Sequence, residues 1–238
     1  MTGKLYVIGV GPGDPELLTL KAARVLRKTD VICVPKGREE GSSLALSIVK
    51  KALNLEGKEI IEAYFPMKKT TASEHNSELN SKWQNTVDTV LNKLKQGTDM
   101  AFITLGDPSI YSTFFYLYDR LLELMPGLNI EIIPGVSSIS ASASRAKISL
   151  SLADEKIAIL PATYTEDLKE ILSRFDTVVL MKVHRVFDRV LNTLSELKLV
   201  DKAIFVSRAS MEDENIIKDI SRVTVDDLDY FSLIVVKK

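Results

Sequence analysis

Residues 4–35 read KLYVIGVGPGDPELLTLKAARVLRKTDVICVP, and this stretch decides the fold. It opens with an apolar run closed by glycines, which predicts a strand over residues 4–10. Apolar residues then recur at helical spacing over residues 16–28, and a second short apolar run follows over residues 30–35. Because parallel neighbouring strands need a crossover connection, usually a helix, the stretch predicts a β-α-β unit.

The same alternation continues along the rest of the chain. Further strands are predicted over residues 58–64, 99–105, 129–133, 156–160, 177–182, 203–207, 214–220 and 231–236. Further helices are predicted over residues 72–96, 110–124, 166–174 and 185–197, and Ser42 is a candidate cap for one that ends near residue 53. About ten strands are too many for one small sheet. We therefore expect an α/β protein of two domains, residues 1–114 and 115–238, each with a mainly parallel five-stranded sheet flanked by helices.

Composition and charge limit the possible partners of the chain. The 31 basic residues nearly balance the 32 acidic ones over 238 residues, so no global field attracts nucleic acid or an anionic membrane. The start of the chain lacks the apolar core of a signal peptide, and no apolar run approaches the ~20 residues of a membrane helix. The expectation is a cytoplasmic protein without a nucleic-acid or membrane partner.

Cysteine and histidine are scarce. Cys33 is the single cysteine, which excludes an intramolecular disulfide, and His75 and His184 are the two histidines. One cysteine and two histidines are too few for a typical Cys/His zinc site, and their scarcity argues against protein-bound metal chemistry. Cys33 lies within an apolar run, which favours an inert buried thiol over a reactive one.

The glycine-rich turn after the first strand invites comparison with dinucleotide-binding loops. The turn reads Gly9-Val-Gly-Pro-Gly13, whereas the dinucleotide fingerprint is G-x-G-x-x-G. Pro12 also removes an N–H group that could hold a pyrophosphate, and Asp30 lies at the wrong end of the second strand to bind a ribose. These differences favour a tight turn that lines a cleft.

Two further turns follow predicted strands, namely residues 106–109 (GDPS) and 134–138 (PGVSS). Ligands bind at the carboxyl ends of strands in open α/β sheets, where free N–H groups begin a helix. A structural interpretation also fits, since Asp107 can cap a helix and Pro108 suits its first turn. Three such turns, on halves expected to face each other, favour a shared cleft for a small molecule.

Taken together, these segments resemble the tetrapyrrole methyltransferase family. The resemblance rests on residues 7–19 (VIGVGPGDPELLT), 104–112 (TLGDPSIYS) and 133–138 (IPGVSS), whose order and spacing match over nearly the whole chain. Less degenerate segments resemble the branch that methylates C20 of precorrin-2 or cobalt-factor-2. They are residues 65–67 (FPM), 111–114 (YSTF), 179–183 (VLMKV) and 206–212 (VSRASME).

The resemblance implies a homodimer with S-adenosylmethionine in a trough between the two domains, and S-adenosylhomocysteine as a product. The implied cofactor residues of the first domain are Pro12, Leu105, Gly106, Asp107 and Ile110. Those of the second domain are Ser137, Ser138, Met181, Ala209 and Ser232. The wider family often has glycine in the segment where this chain has Ala209. Taken singly, Met181 also fits a core position, and Ser137 and Ser138 fit helix caps.

The implied activity is methyl transfer to C20 of a tetrapyrrole in cobalamin biosynthesis. The resemblance favours the cobalt-bound substrate over the metal-free one. The hypothesis is that C20 attacks the methyl group and then loses its proton to Asp107 or to water, while alignment and desolvation supply much of the acceleration. A polycarboxylate substrate needs cations, although each basic side chain also fits a solvated surface position. The candidates are Lys36, Arg38, Lys68, Lys69, Arg145, Lys147 and Arg185.

Two other classes of function are alternatives to this one. Another member of the family, acting on a different ring carbon or on the diphthamide precursor of a translation factor, would keep the cofactor site. A dinucleotide-dependent oxidoreductase or a binding-only α/β protein would not bind S-adenosylhomocysteine, so calorimetry with that ligand separates the classes.

Overall fold

The computed structural model describes residues 2–36, 43–64, 77–164 and 167–238. By its internal contacts the chain divides into two compact units, Met1–Ser137 and Ser138–Lys238. Each unit contains one five-stranded sheet. The predicted α/β class with two five-stranded sheets is therefore confirmed.

The first unit alternates strands and helices along the chain. Its strands are β1 (Leu5–Gly9), β2 (Val31–Lys36), β3 (Glu59–Tyr64), β4 (Met100–Thr104) and β5 (Ile130–Ile133). Its helices are α1 (Leu20–Lys28), α2 (Leu44–Ala52), α3 (Ser77–Lys95) and α4 (Phe114–Leu124). The helix predicted from residue 16 instead begins at Leu20, because the Thr19 hydroxyl caps it by accepting from Ala22 N at 3.1 Å.

The first sheet is wholly parallel, with the strand order β3-β2-β4-β1-β5. Successive β1 residues face opposite cores: Val7 packs into the cluster formed by α3 and α4, and Ile8 into the cluster formed by α1 and α2. Burial on both faces explains why the strands read as continuous apolar runs. The arrangement also brings the carboxyl ends of β4, β1 and β5 side by side.

The predicted domain boundary needs correction. A division at residues 114 and 115 would remove α4 and β5 from the first unit, yet β5 pairs with β1 along Leu5↔Ile130 to Ile8↔Ile133. Phe114, which opens α4, is fully buried in the core beside β1. The boundary therefore follows β5 and falls between Ser137 and Ser138.

The second unit is a mixed structure. Its helices are α5 (Ser138–Ala146), α6 (Leu168–Arg174) and α7 (Phe187–Glu196). Its strands are β6 (Ile157–Pro161), β7 (Thr177–Met181), β8 (Ala203–Ser207), β9 (Asn215–Ile217) and β10 (Ser232–Lys237). The sheet order is β6-β7-β10-β8-β9, and among these strands only β6 and β7 pair in parallel. The expectation of a mainly parallel second sheet is wrong, because β10 inserts antiparallel between β7 and β8 without a preceding crossover helix.

Helix ends differ slightly from the predicted ones. Ser43, and not Ser42, caps α2, since its hydroxyl accepts from Leu46 N at 3.5 Å. Ser42 lies outside the described residues. The strand predicted over residues 214–220 is shortened to Asn215–Ile217, because a 3₁₀ turn (Ile220–Arg222) follows, with Asp219 as its cap. The trough between the domains stays a prediction.

Candidate functional site

The turns after β1 and β4 are joined backbone to backbone. Gly11 N donates to the Gly106 carbonyl oxygen at 3.3 Å, and Gly106 N donates to the Gly11 carbonyl oxygen at 2.8 Å. Gly11 has a φ of +84° and Gly106 a φ of +69°. Residues with a side chain rarely adopt such positive φ values, so both positions favour glycine. Pro12, the predicted cofactor residue of the first turn, follows directly and is buried.

The turn after β5 packs into the same group. A Cβ added at Gly135 would lie 2.3 Å from the Gly106 carbonyl oxygen, and one added at Gly9 would lie 2.6 Å from it. Glycine is therefore required here because three backbone segments touch, which explains the glycine-rich motif without a pyrophosphate. We call this set of turns, residues 9–13, 104–112 and 133–137, the first edge.

Asp107 ties the first edge together. Its Oδ1 accepts from Ser109 N at 2.8 Å and from the Ser109 hydroxyl, and its Oδ2 accepts from Gly135 N at 2.9 Å. The interpretation of Asp107 as a cap of the following helix is wrong, because α4 begins only at Phe114. Its carboxylate instead joins the turn after β4 to the turn after β5.

The turn after β4 contains one residue with strained backbone, Tyr111. Tyr111 has a φ of +52°, and the Ser112 hydroxyl donates to Thr104 Oγ1 at 3.3 Å and accepts from Phe114 N at 3.2 Å. Leu105 and Ile110, two predicted cofactor residues, lie in this turn and are half-buried. Left-handed backbone at a non-glycine residue often marks a functional turn.

Ser137 and Ser138 lie where the chain passes from the turn after β5 into α5. Ser138 is the first residue of the helix, and both side chains are half-buried. The first N–H groups of a helix have no partner within the helix, so this position suits a polar or anionic ligand.

A second group of predicted residues meets at one edge of the second sheet. The register pairs Met181, at the end of β7, with Leu233, and Ser232, at the start of β10, with Ser207. Ala209 follows β8 at the same edge and is 5% exposed, while Ser232 is 3% exposed. The structure thus brings Met181, Ala209 and Ser232 together. We call this edge, formed by residues 181–185, 207–214 and 229–232, the second edge.

The backbone of the second edge is also strained. Lys182 follows β7 with a φ of +58°, and Arg208 and Ser210 follow β8 with φ of +53° and +64°. Arg208 N donates to the Phe231 carbonyl oxygen at 3.1 Å, and its guanidinium lies 2.6 Å from an Asp213 oxygen. This ion pair raises the pKa of Arg208 and lowers that of Asp213.

His184 and Tyr230 belong to the second edge but were missed by sequence reasoning. Their rings meet edge to face with centroids 5.6 Å apart. Burial and the neighbouring Arg185 charge lower the pKa of His184 below 6.5, while Asp229 opposes the shift. Burial raises the pKa of Tyr230. The available signal was the position of His184 just beyond a predicted strand end.

The basic candidates separate by their partners. Lys36 Nζ pairs with Glu62 at 2.9 Å, and Arg145 Nε pairs with Glu214 at 2.7 Å, so both charges are already matched. Arg185 and Lys147 are exposed, and only Arg185 lies at the second edge. Arg38, Lys68, Lys69 and His75 lie outside the described residues, as does the motif at residues 65–67.

Two kinds of feature are absent from the described ranges, namely a cluster of metal ligands and a membrane-spanning helix. No group of three or more histidine, cysteine, aspartate or glutamate side chains in those ranges is arranged to hold a metal ion. Among the helices described, none combines the length and the apolar character needed to span a bilayer. Burial raises the pKa of Cys33 to about 12, in agreement with an inert thiol.

Known proteins resemble this chain over nearly its whole length. A family described as Tetrapyrrole (Corrin/Porphyrin) Methylases matches residues 4–223. The chain is 39% identical over 239 residues to a probable cobalt-precorrin-2 C(20)-methyltransferase of Methanocaldococcus jannaschii, covering 99% of this chain and 96% of that protein. It is 36% identical over 242 residues to the cobalt-precorrin-2 C(20)-methyltransferase of Salmonella typhimurium, covering 100% and 98%.

Solved structures share the fold at lower identity. A cobalt precorrin-4 methyltransferase superposes with a TM-score of 0.75 at 24% identity, covering 98% of this chain and 94% of that one. A uroporphyrin-III C-methyl transferase of Thermus thermophilus, complexed with S-adenyl homocysteine, gives 0.66 at 21% identity, covering 99% and 98%. The match to the family extends over nearly the whole chain. The chain therefore belongs to the tetrapyrrole (corrin/porphyrin) methylases.

Proposed function

We propose that this protein transfers a methyl group from S-adenosylmethionine to C20 of cobalt-precorrin-2 in cobalamin biosynthesis. The observation that carries the proposal is full-length similarity, at 39% and 36% identity, to two proteins named for this reaction. The segments that suggested the C20 branch from sequence include residues 179–183 and 206–212, which run from β7 and β8 into the second edge.

The metallated substrate is preferred for a specific reason. The two relatives described above carry cobalt in their substrate's name, whereas a Sinorhizobium sp relative, 29% identical over 98% of this chain, is named a precorrin-2 C(20)-methyltransferase. An enzyme without this preference would methylate cobalt-precorrin-2 and metal-free precorrin-2 equally well. Methylation rates measured side by side with the two substrates therefore test the preference.

The residues of the two edges fit S-adenosylmethionine in chemical character. The first edge offers half-buried apolar side chains at Leu105 and Ile110, which suit a flat adenine. The start of α5 offers hydroxyl and N–H groups for ribose or carboxylate oxygens. At the second edge, Ala209 and Ser232 have small side chains that are 5% and 3% exposed, so a ligand would approach the backbone around them. The full proposed set is Pro12, Leu105, Gly106, Asp107, Ile110, Ser137, Ser138, Met181, Ala209 and Ser232.

The protein's contribution to the reaction is mainly orientation. S-adenosylmethionine supplies a methyl group that is already electrophilic, because it is bound to a sulfonium. The backbone packing of the first edge and the left-handed turns of the second would fix the reacting groups and exclude water. No strongly activated side chain is needed for such a transfer.

The contacts of Asp107 favour a positioning role over that of proton acceptor. Its two oxygens accept three hydrogen bonds, from Ser109 N, the Ser109 hydroxyl and Gly135 N. Movement toward a substrate carbon would break some of these bonds and loosen the first edge. We therefore favour water over Asp107 as the acceptor of the C20 proton.

Arg185 is the proposed contact for a substrate carboxylate. It is exposed at the second edge, directly beside His184, and guanidinium groups bind carboxylates in a bidentate manner. Arg145 is a poorer candidate, because Glu214 already engages it. A cation that meets the substrate should make substrate affinity fall with added salt.

A homodimer in the cytoplasm is also proposed, following the resemblance. Phe115 and Tyr116, at the start of α4, are 42% and 66% exposed, and a second copy of the chain would cover such apolar surface. Light scattering or analytical ultracentrifugation measures the assembly directly.

The decisive test combines binding with turnover. Calorimetry should detect S-adenosylhomocysteine, and the protein should methylate cobalt-precorrin-2 at C20. Binding of S-adenosylhomocysteine with methylation of a different ring carbon would keep the family but reject the C20 assignment. Binding of a nicotinamide dinucleotide instead would reject the methyltransferase.

A further inference from the structure

The segment between β8 and β9 is closed by one carboxylate. We propose that Glu214 is a positioning residue that fixes the cofactor-binding segment after β8. This inference rests on the proposed function, since it concerns the site for S-adenosylmethionine. The Glu214 side chain is only 10% exposed, although its segment reads as a charged surface turn.

Glu214 reaches back to the strained turn. Its Oε2 accepts from Ser210 N at 2.6 Å, and Ser210 has a φ of +64°. Arg208, on the other side of Ala209, has a φ of +53°. Ala209 is thus held between two left-handed residues, and the Glu214 carboxylate anchors one of them. The local backbone bonds, Met211 N to the Arg208 carbonyl oxygen and Glu214 N to the Met211 carbonyl oxygen, complete the loop at 2.9 and 3.2 Å.

The same carboxylate binds a second element of this unit. Arg145 Nε donates to Glu214 Oε1 at 2.7 Å and to Oε2 at 3.0 Å. Arg145 lies in the last turn of α5, the helix that begins with Ser138 and packs against β8. Glu214 therefore contacts both the helix that carries Ser138 and the segment that carries Ala209.

Substitutions separate the two contacts. Glu214→Ala removes both acceptors, Glu214→Gln keeps an oxygen for Ser210 N but removes the charge, and Arg145→Gln removes only the ion pair. In Glu214→Ala a charged hydrogen-bond acceptor is lost beside the proposed cofactor site. We expect this variant to bind S-adenosylhomocysteine about 10-fold more weakly. Glu214→Gln and Arg145→Gln should stay within about 3-fold of the parent, because the Arg145 side chain is 58% exposed and water screens its ion pair.

The chain offers a matched control. Glu155 also accepts from a backbone N–H, Leu152 N at 2.7 Å, and from a lysine, Lys237 Nζ at 2.5 Å. Residues 155 and 237 lie at the opposite end of the second sheet, beside the Ile157↔Thr177 and Lys237↔Thr177 pairs. Glu155→Ala should therefore lower Tm to a similar extent as Glu214→Ala, yet leave ligand affinity unchanged.

The experiment measures Kd for S-adenosylhomocysteine by calorimetry, Tm without ligand, and the KM for S-adenosylmethionine. A positioning role predicts a raised Kd and KM in Glu214→Ala, near-normal values in Glu214→Gln, and parental values in Glu155→Ala. Glu214→Asp keeps the charge but is one methylene shorter, so its carboxylate should no longer reach Ser210 N. It should therefore also raise Kd several-fold, and it serves if Glu214→Ala does not fold.

Two results would overturn the inference and are distinguishable. If the parent protein binds S-adenosylhomocysteine and folded Glu214→Ala or Glu214→Asp binds it equally well, Glu214 is structural only and the proposed function stands. If the parent protein does not bind it at all, the proposed function and the inference fail together.

Discussion

Both edges contain a carboxylate that holds a turn and a left-handed non-glycine residue, but they differ in how closely their backbone segments approach one another. At the first edge, glycines let three turns touch, and a Cβ at Gly135 would lie 2.3 Å from a neighbouring carbonyl oxygen. At the second edge, non-glycine residues such as Ser210, with a φ of +64°, occupy left-handed backbone, and side-chain carboxylates stabilise the turns. A close contact between backbone segments leaves no room for an added atom, whereas a strained backbone dihedral only lowers the free energy of unfolding by a limited amount. The first edge should therefore tolerate substitution far less than the second.

Gly135→Ala is expected to have the largest effect. The new Cβ would meet the carbonyl of Gly106, which cannot rotate away as a flexible side chain does, so the turns after β4 and β5 would separate. A misplacement of about 1 Å can cost roughly 100-fold in rate, and a loss of that size in kcat is expected. Steady-state methylation kinetics measure it.

Gly127→Ala is the control in the same unit. No heavy atom lies within 4 Å of a Cβ built at Gly127, so activity should persist. Normal turnover by Gly135→Ala would show that close backbone contact at the first edge is not required.

Asp107→Asn tests the link across the first edge. An amide offers one acceptor oxygen where the carboxylate offers two, so either Ser109 N or Gly135 N loses its partner. We expect S-adenosylhomocysteine affinity to fall about 10-fold. Calorimetry measures this loss, and turnover at saturating cofactor should fall less.

Asp219→Asn is a matched control for that substitution. Asp219 makes the same kind of turn with Ser221 N, at 3.2 Å, but lies at the far end of the second sheet. It should leave affinity unchanged. Normal affinity with much slower turnover in Asp107→Asn would restore Asp107 as the proton acceptor.

Arg185→Gln examines the charge of the second edge. The KM for the tetrapyrrole should rise by about 5-fold, since one charge-assisted contact is lost, while the KM for S-adenosylmethionine stays constant. The pKa of His184 should rise toward its ordinary value, because the Arg185 charge lowers it. NMR titration follows that pKa independently of turnover. An unchanged pKa together with an unchanged KM would remove Arg185 from the site.

Ser210→Gly should have the smallest effect and the opposite sign. Glycine adopts left-handed backbone without strain, and relief of that strain is worth up to about 1 kcal/mol in the free energy of unfolding. Because the hydrogen bond from residue 210 N to Glu214 is a backbone bond, it is kept. Denaturant unfolding measures the gain. A clear loss of stability would mean that the Ser210 side chain, and not its backbone, supports the turn.

Much of the first unit follows from local sequence signals. The apolar run before Gly9 and the Gly106-Asp107-Pro108 turn mark strand ends, and the alternation of strands and helices fixes their parallel direction. The pairing of β5 with β1 was not foreseen, because it joins residues far apart in sequence with no linker to mark the boundary. The partner of Asp107, Gly135 N, is likewise distant along the chain.

The second unit was less predictable for a related reason. An apolar run such as β10 (Ser232–Lys237) gives no indication of strand direction, so its antiparallel insertion could not be read from the sequence. Glu214 is one acid in the segment Met211-Glu-Asp-Glu214, and only its fold-dependent contacts with Ser210 and Arg145 distinguish it.

The most direct test of the account is methylation itself. The purified protein is supplied with cobalt-precorrin-2 and S-adenosylmethionine whose methyl group is isotope-labelled, and the product is examined by NMR. The account predicts one labelled methyl group at C20 and one S-adenosylhomocysteine per product. A label at another ring carbon, or no transfer by a protein that binds S-adenosylhomocysteine, would contradict it.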